Sequence, residues 1–317
     1  MASALANGPK IRAATPARIA EAGRLIAKGG LVAIPTETVY GLACNALDQD
    51  ALARLYEAKG RPKFNPLIVH VKNTAAARRL AVFTPMAERL AKAFWPGPLT
   101  LVLSRRPDCA VALLATAGLD SIALRAPSHP VAQRILDAAK VPIAAPSANS
   151  SGKLSPTTAE HVDRDLGPKL DLILDGGPCP IGLESTVIDA RAEPLRMLRP
   201  GAITRGQAEA ATGGKIANAS PGKIESPGRL ERHYSPRTPL RLNAKAAKSG
   251  EVMIGFGKVA GDFNLSEEGS LTEAAANLYA ALHLADARRA KAIAVAPVPA
   301  RGLGAAINDR LSRAAGG

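Results

Sequence analysis

Aromatic residues make up only 3% of the 317-residue chain, with a single Trp. That is too few for the stacking platform on which single-strand-binding proteins lay their bases. Cysteine is rarer still: Cys44, Cys109 and Cys179 are odd in number and far apart. They offer no disulfide framework and no CxxC zinc spacing, and they fit a reducing, cytoplasmic compartment. No window approaches the ~18 uninterrupted apolar residues of a membrane span, so no membrane partner is expected. Residues 1–10 lack a basic stretch followed by an apolar block, so a secretory leader is not expected either. The five histidines (His70, His129, His161, His233, His283) stand isolated in sequence, which gives a multi-histidine metal site little support. The chain also has no GxxxxGKS or GxxxxGKT phosphate loop, no GxGxxG after a strand, no HExxH and no GxSxG elbow.

What is there is a globular mix, 47% hydrophobic and 21% charged, with a net charge of +14. The basic excess is spread over both halves of the chain, with no cationic tail. It suggests nucleotide, phosphate or nucleic-acid partners without marking a dedicated RNA-binding face.

Apolar runs and helical periodicities alternate along the chain. Helices are expected over 17–28, 50–59, 75–80, 87–94 and 130–139. Strands are expected over 31–34, 67–71, 99–103, 122–125, 143–145 and 172–175. Interleaving of this kind defines an α/β fold with a substantial sheet. The Gly-, Pro-, Ser- and Lys-rich stretch from about 201 to 240 reads as a long linker, and a structureless loop of that length is usually functional. A second α/β unit follows, with strands over 251–256 and 292–296 and helices over 271–287 and 305–314.

The polar clusters fall at strand and helix ends, where α/β sheets bind ligands. Residues 35–41 (PTETVYG) follow the first strand. Lys59 and Arg61 flank Gly60 at a helix end and suit a polyphosphate, although cations are favoured at any solvated helix C-terminus. Residues 146–152 (PSANSSG) follow another strand. ESTV (184–187), LRPG (198–201) and RHYSP (232–236) complete the set. Together they describe an anion-binding pocket with no covalent nucleophile.

These residues resemble the YrdC-like family, in its long two-domain form. PTETVYGLA (35–43), KGRPKFNPLIVH (59–70), WPGPLTLVL (95–103), ALRAPSHP (123–130), APSANSSG (145–152), ESTVID (184–189) and LRPGAIT (198–204) follow it in order and spacing. SPGRLERHYSPRTPL (226–240) and the second unit continue the likeness, which covers roughly residues 11–317. The resemblance implies a YrdC-like twisted mixed sheet with helices over 11–204, a linker lying over the active site at 205–240, and a smaller Rossmann-like α/β domain at 241–317. It implies condensation of L-threonine, bicarbonate and ATP to L-threonylcarbamoyl-AMP plus pyrophosphate, a nucleotidyl transfer. A separate transferase then passes the threonylcarbamoyl group to adenosine in tRNAs reading ANN codons; weak direct contact with tRNA is left open.

The resemblance also carries residue roles. Thr36, His70, Arg125, Ala145 and Ser185 would bind L-threonine, with Arg125 on its carboxylate. Lys59 and Arg61 would be the catalytic cations facing the ATP phosphates and the carbamate. Ser147 and Asn149 form the partner motif, and Asn65, Ser121, Ser155 and Arg199 would be further nucleotide contacts. Ser121 stands where the family often has Thr. Tyr234, on the linker, would lie over the nucleotide and exclude water. Magnesium would accompany ATP without a dedicated set of protein ligands. Cys44 reads as packing.

Two alternatives stay open at this level. A carbamoyl transferase of the hydrogenase-maturation kind would need zinc-finger cysteines and an acylphosphatase-like unit, and the chain has neither. An RNA-binding module would show affinity that falls steeply with salt.

Overall fold

Helix starts are written into the sequence as short polar caps. Thr15, Asp48, Asn73, Thr84 and Thr158 each accept a backbone N–H of the following turn, and Pro16 and Pro85 fit the first helical position. The computed structural model describes residues 11–219 and 234–316. In the first unit the strands are β1 (Ile11–Ala13), β2 (Val32–Ile34), β3 (Gly41–Asn45), β4 (Ile68–His70), β5 (Ala81–Val82), β6 (Leu99–Arg105), β7 (Ser121–Arg125), β8 (Ile143–Ala144), β9 (Leu172–Asp175), β10 (Thr186–Asp189), β11 (Arg196–Arg199) and β12 (Ala217–Asn218). The helices are α1 (Pro16–Ala27), α2 (Gln49–Lys59), α3 (Thr74–Arg78), α4 (Pro85–Phe94), α5 (Pro130–Ala139), α6 (Ala159–Leu166) and α7 (Arg205–Thr212).

All twelve strands form one mixed sheet in the order β1-β9-β2-β3-β8-β4-β7-β6-β10-β11-β12, with β5 paired to β6. Alternating side chains send Leu42, Cys44, Val69, Leu101 and Leu124 into the main core with Leu52 and Leu55 of α2 and Leu90 of α4. Around β2, β3 and β9, a second cluster packs against Ile19 and Ile26 of α1 and Ile135 of α5. The α1–α5 contact is close: a Cβ on Gly23 would sit 2.5 Å from that of Ala138, so only glycine fits there. Farther along the sheet, Ile68, Val102, Ala123, Val187 and Leu198 form a small separate cluster.

The second unit holds β13 (Leu240–Arg241), β14 (Glu251–Gly255), β15 (Phe263–Asn264), β16 (Ala292–Val295), α8 (Leu271–Ala287) and α9 (Gly304–Ala315). Its sheet runs β13-β16-β14-β15, and every pair is parallel. Its core also takes in Val39, Leu154 and Leu183 from the first unit, so the two units share apolar packing.

The linker is shorter than its composition suggests. Residues 205–218 belong to the first unit: Thr204 and Gln207 cap α7 reciprocally, and β12 pairs in parallel with β11. An eight-residue helix burying only Ala208 and Thr212 is too short to show a helical period. The motif residues Arg232 and His233 lie outside the described residues. Several strands were also missed by composition: β1, β3, β10 and β11 are short, and β3 opens with glycine and ends with asparagine, which are poor strand formers. No helix among the described residues is long and apolar enough to cross a membrane.

Candidate active site

Two parallel strands set one end of the site. β4 and β7 pair so that His70 stands directly opposite Arg125 at their carboxyl ends. Arg125 is buried, and its Nη2 donates to Glu37 Oε1 at 2.7 Å. The other Glu37 oxygen accepts the His129 backbone N–H at 3.2 Å. Burial pushes the Glu37 carboxyl up, but Arg125 outweighs it and holds the group below its usual range. Arg125 Nε and both ring nitrogens of His70 are buried with no partner. Orphaned buried polar groups of this kind are costly, and a ligand would satisfy them. Burial, helped by the Arg125 charge, pulls His70 down to about 3, so its ring is neutral at pH 7.

Local backbone geometry sets the other end. Gly60 closes α2 in the left-handed conformation (φ 59°), which turns the chain and leaves both Lys59 and Arg61 buried. The pair is therefore not a solvated helix end. Lys59 Nζ donates to the carbonyls of Ser147, at 2.6 Å, and Asn149. Its burial, with Arg61 beside it, lowers its pKa well below the usual lysine value. Arg61 donates to Asn65 O at 3.1 Å and Pro66 O at 2.8 Å, and burial pulls it down to about 10. The amide of Asn65 and the Oδ1 of Asn149 are buried without partners. Arg199 grips Ser185 through the carbonyl (2.9 and 3.1 Å) and the hydroxyl (3.1 Å).

Between these ends lies a narrow cleft. Of the residues expected from the sequence, Arg61, His70, Arg125, Ala145, Ser147, Ser185, Arg199 and Tyr234 line it. The others do not. Thr36 spends its hydroxyl inside its own turn, donating to Val39 O at 2.7 Å, and Thr38 lines the cleft in its place. Lys59, Asn65 and Asn149 stand behind the lining. Ser155 is tied to Glu184, its Oγ donating to Oε1 at 2.5 Å. Ser121 faces the same side of β7 as Arg125, but four residues back, ~13 Å along the strand.

Sequence reasoning missed Glu37 and Glu184 as partners of buried arginines, and Arg310 and Tyr279 from the second unit. The available signal was a carboxylate inside an otherwise uncharged, buried stretch, which demands a buried cation. It also missed that His161 and His283 stack, their ring centroids 3.9 Å apart. No group of three metal-type ligands occurs among the described residues. Among the described residues, Glu184 of the cleft wall is committed to Arg310, and Glu37 beside the cleft to Arg125.

These features define an α/β protein with an anion-binding cleft that a second α/β unit helps to wall. The chain belongs to the Sua5/YciO/YrdC family. The family's sequence profile, described as "Telomere recombination", matches residues 24–201, and the profile "Threonylcarbamoyl-AMP synthase, C-terminal domain" matches residues 197–316. The chain is 41% identical to the threonylcarbamoyl-AMP synthase of Bacillus subtilis, with 95% of this chain and 93% of that protein covered. It is 41% identical to the protein of the same description from Pyrococcus abyssi, with 94% of each covered. The crystal structure of P. abyssi Sua5 complexed with L-threonine superposes with a TM-score of 0.88 at 39% identity, covering 96% of each chain.

Proposed function

We propose that this chain makes L-threonylcarbamoyl-AMP from L-threonine, bicarbonate and ATP, releasing pyrophosphate by nucleotidyl transfer. One observation carries the reading: the cleft has two chemically different ends. His70 and Arg125 offer an unpartnered imidazole and an unpartnered guanidinium Nε at one end. Arg61, Arg199 and Tyr234 gather at the other. The first suits the carboxylate and amine of an amino acid, and the second a polyphosphate.

The threonine amine attacks the carbon of carbon dioxide derived from bicarbonate and loses a proton, giving a carbamate. A carbamate oxygen then attacks the α-phosphorus of ATP, and the bond to pyrophosphate breaks. No step needs a protein nucleophile. The protein's work is alignment and charge neutralisation. Arg125 holds the threonine carboxylate, with His70, Ala145 and Ser185 around it. Arg61 and Arg199 face the phosphates, while Lys59 fixes the loop that presents Ser147 and Asn149. Asn65, Ser155 and Tyr234 shape the nucleotide end, and Ser121 meets a nucleotide only if it extends along β7. Magnesium would accompany ATP, with phosphate and water oxygens as its ligands.

A separate transferase consumes the product and modifies tRNA. We place the reaction in the cytoplasm, which suits three buried, unpaired cysteines. The test is to supply ¹³C-labelled bicarbonate and identify the product by mass. The label belongs in a threonylcarbamoyl adenylate; unlabelled AMP or ADP as the sole nucleotide product contradicts the reading.

A further inference from the structure

Helix α9 of the second unit reaches into the wall of the cleft. Its Arg310 is fully buried and spreads its donors over both units. Nε donates to Glu184 Oε2 at 2.7 Å, Nη2 to the carbonyl of Pro200 at 2.9 Å, and Nη1 to Asp309 at 2.5 Å. The guanidinium carbon also lies 5.0 Å from the ring centroid of Tyr234, within cation–π range. Tyr279 of α8 adds its hydroxyl, 2.9 and 3.1 Å from the two Glu184 oxygens, and its ring stands 6.0 Å from that of Tyr234. Glu184 and Tyr234 both line the cleft. Behind them stand two side chains of the second unit.

The backbone depends on this arrangement in two places. Tyr234 sits at φ 62°, a left-handed conformation unfavourable for a tyrosine and kept only where surrounding contacts hold it. Gly182, two residues before Glu184, lies so close to α8 that a Cβ there would meet the Ala275 carbonyl oxygen at 2.5 Å. A carboxylate buried as Glu184 is needs its cation: without one it must protonate or shift its side chain.

We propose that Arg310 is a positioning residue for the nucleotide end of the cleft, acting through Glu184 and Tyr234, so that the second unit is part of the binding site. The proposal rests on the reading of that end as the nucleotide's. Arg125, Glu37 and His70 receive no hydrogen bond from Arg310, so the groups that hold the threonine carboxylate do not depend on it.

The experiment measures equilibrium binding by calorimetry on the full chain, with α,β-methylene-ATP and L-threonine as separate probes. Arg310→Met should weaken the nucleotide probe by about tenfold or more, the size of effect expected when a buried carboxylate loses its partner, and leave threonine within about twofold. Arg310→Lys returns the charge without the fork and should recover part of the loss. Equal nucleotide affinity in wild type and Arg310→Met overturns the proposal, as does equal weakening of both ligands. If Arg310→Met does not fold, Tyr279→Phe removes one hydroxyl from the same carboxylate. It should weaken the nucleotide selectively, and unchanged affinity overturns the proposal. Wild-type chain that binds both probes yet releases no threonine-dependent pyrophosphate refutes the proposed reaction and leaves this comparison standing. Wild-type chain that binds no nucleotide refutes both.

Discussion

Arg125 and Glu37 form a buried ion pair at 2.7 Å, and the guanidinium keeps its Nε unpartnered beside the cleft. Glu37 both aims Arg125 and offsets its charge. Glu37→Gln keeps the shape and removes the charge, leaving a buried cation uncompensated. Breaking such a pair from one side costs about 3–5 kcal/mol. Urea unfolding should show a loss of that size, with weaker threonine binding. Adding Arg125→Met should recover stability but not binding. A single variant with wild-type stability would show that the pair does not matter.

His70 makes a pH prediction. Its pKa is about 3 folded, against about 6.5 in an unfolded chain. Between these values the unfolded state binds the extra proton. Stability is therefore full above pH 6.5 and falls as pH drops toward 3. Glu184, held near 2 because Arg310 and Arg199 outweigh its burial, adds a loss below about 4.5. Threonine affinity should stay flat from pH 6 to 8, because the ring is neutral throughout. An inflection near pH 6.5 in calorimetric titrations would contradict this.

Lys59 ties the loop bearing Ser147 and Asn149 to the end of α2. Lys59→Ala should reduce turnover by roughly a hundredfold or more, as loss of positioning near a reacting centre does, and raise amide exchange over residues 147–153. Lys59→Arg should not rescue it, since a larger head in a filled site costs about 1–3 kcal/mol. Turnover and exchange both at wild-type levels in Lys59→Ala would remove the lysine from the account.

Two glycines should behave differently. A Cβ on Gly201 would sit 2.5 Å from Glu184 O and Thr186 N, so Gly201→Ala must push apart the turn that carries Ser185. Gly60 has a left-handed φ but open space around a Cβ, so Gly60→Ala meets backbone strain alone, about 1 kcal/mol. Thermal unfolding should rank Gly201→Ala as clearly worse, and the opposite order would contradict the packing described.

Much of this fold was legible from local pattern. The sequence placed α2, α5, α8 and the strands carrying His70 and Arg125 within a residue or two, because apolar periodicity and caps act locally. Motif order pointed to eight of the cleft's lining residues. The rest depends on tertiary context. Nothing local says that Thr36 closes its own turn while Thr38 lines the cleft, or that Arg310, 126 residues from Glu184, returns to pair with it. Residues 205–218 looked like linker because their helix and strand are too short for periodicity to register.

The most direct test is pyrophosphate release from ATP and bicarbonate by the full chain, with and without L-threonine. The account predicts release that requires threonine and falls away when serine or glycine replaces it. Release that ignores threonine, or none at all from folded protein, would contradict the account.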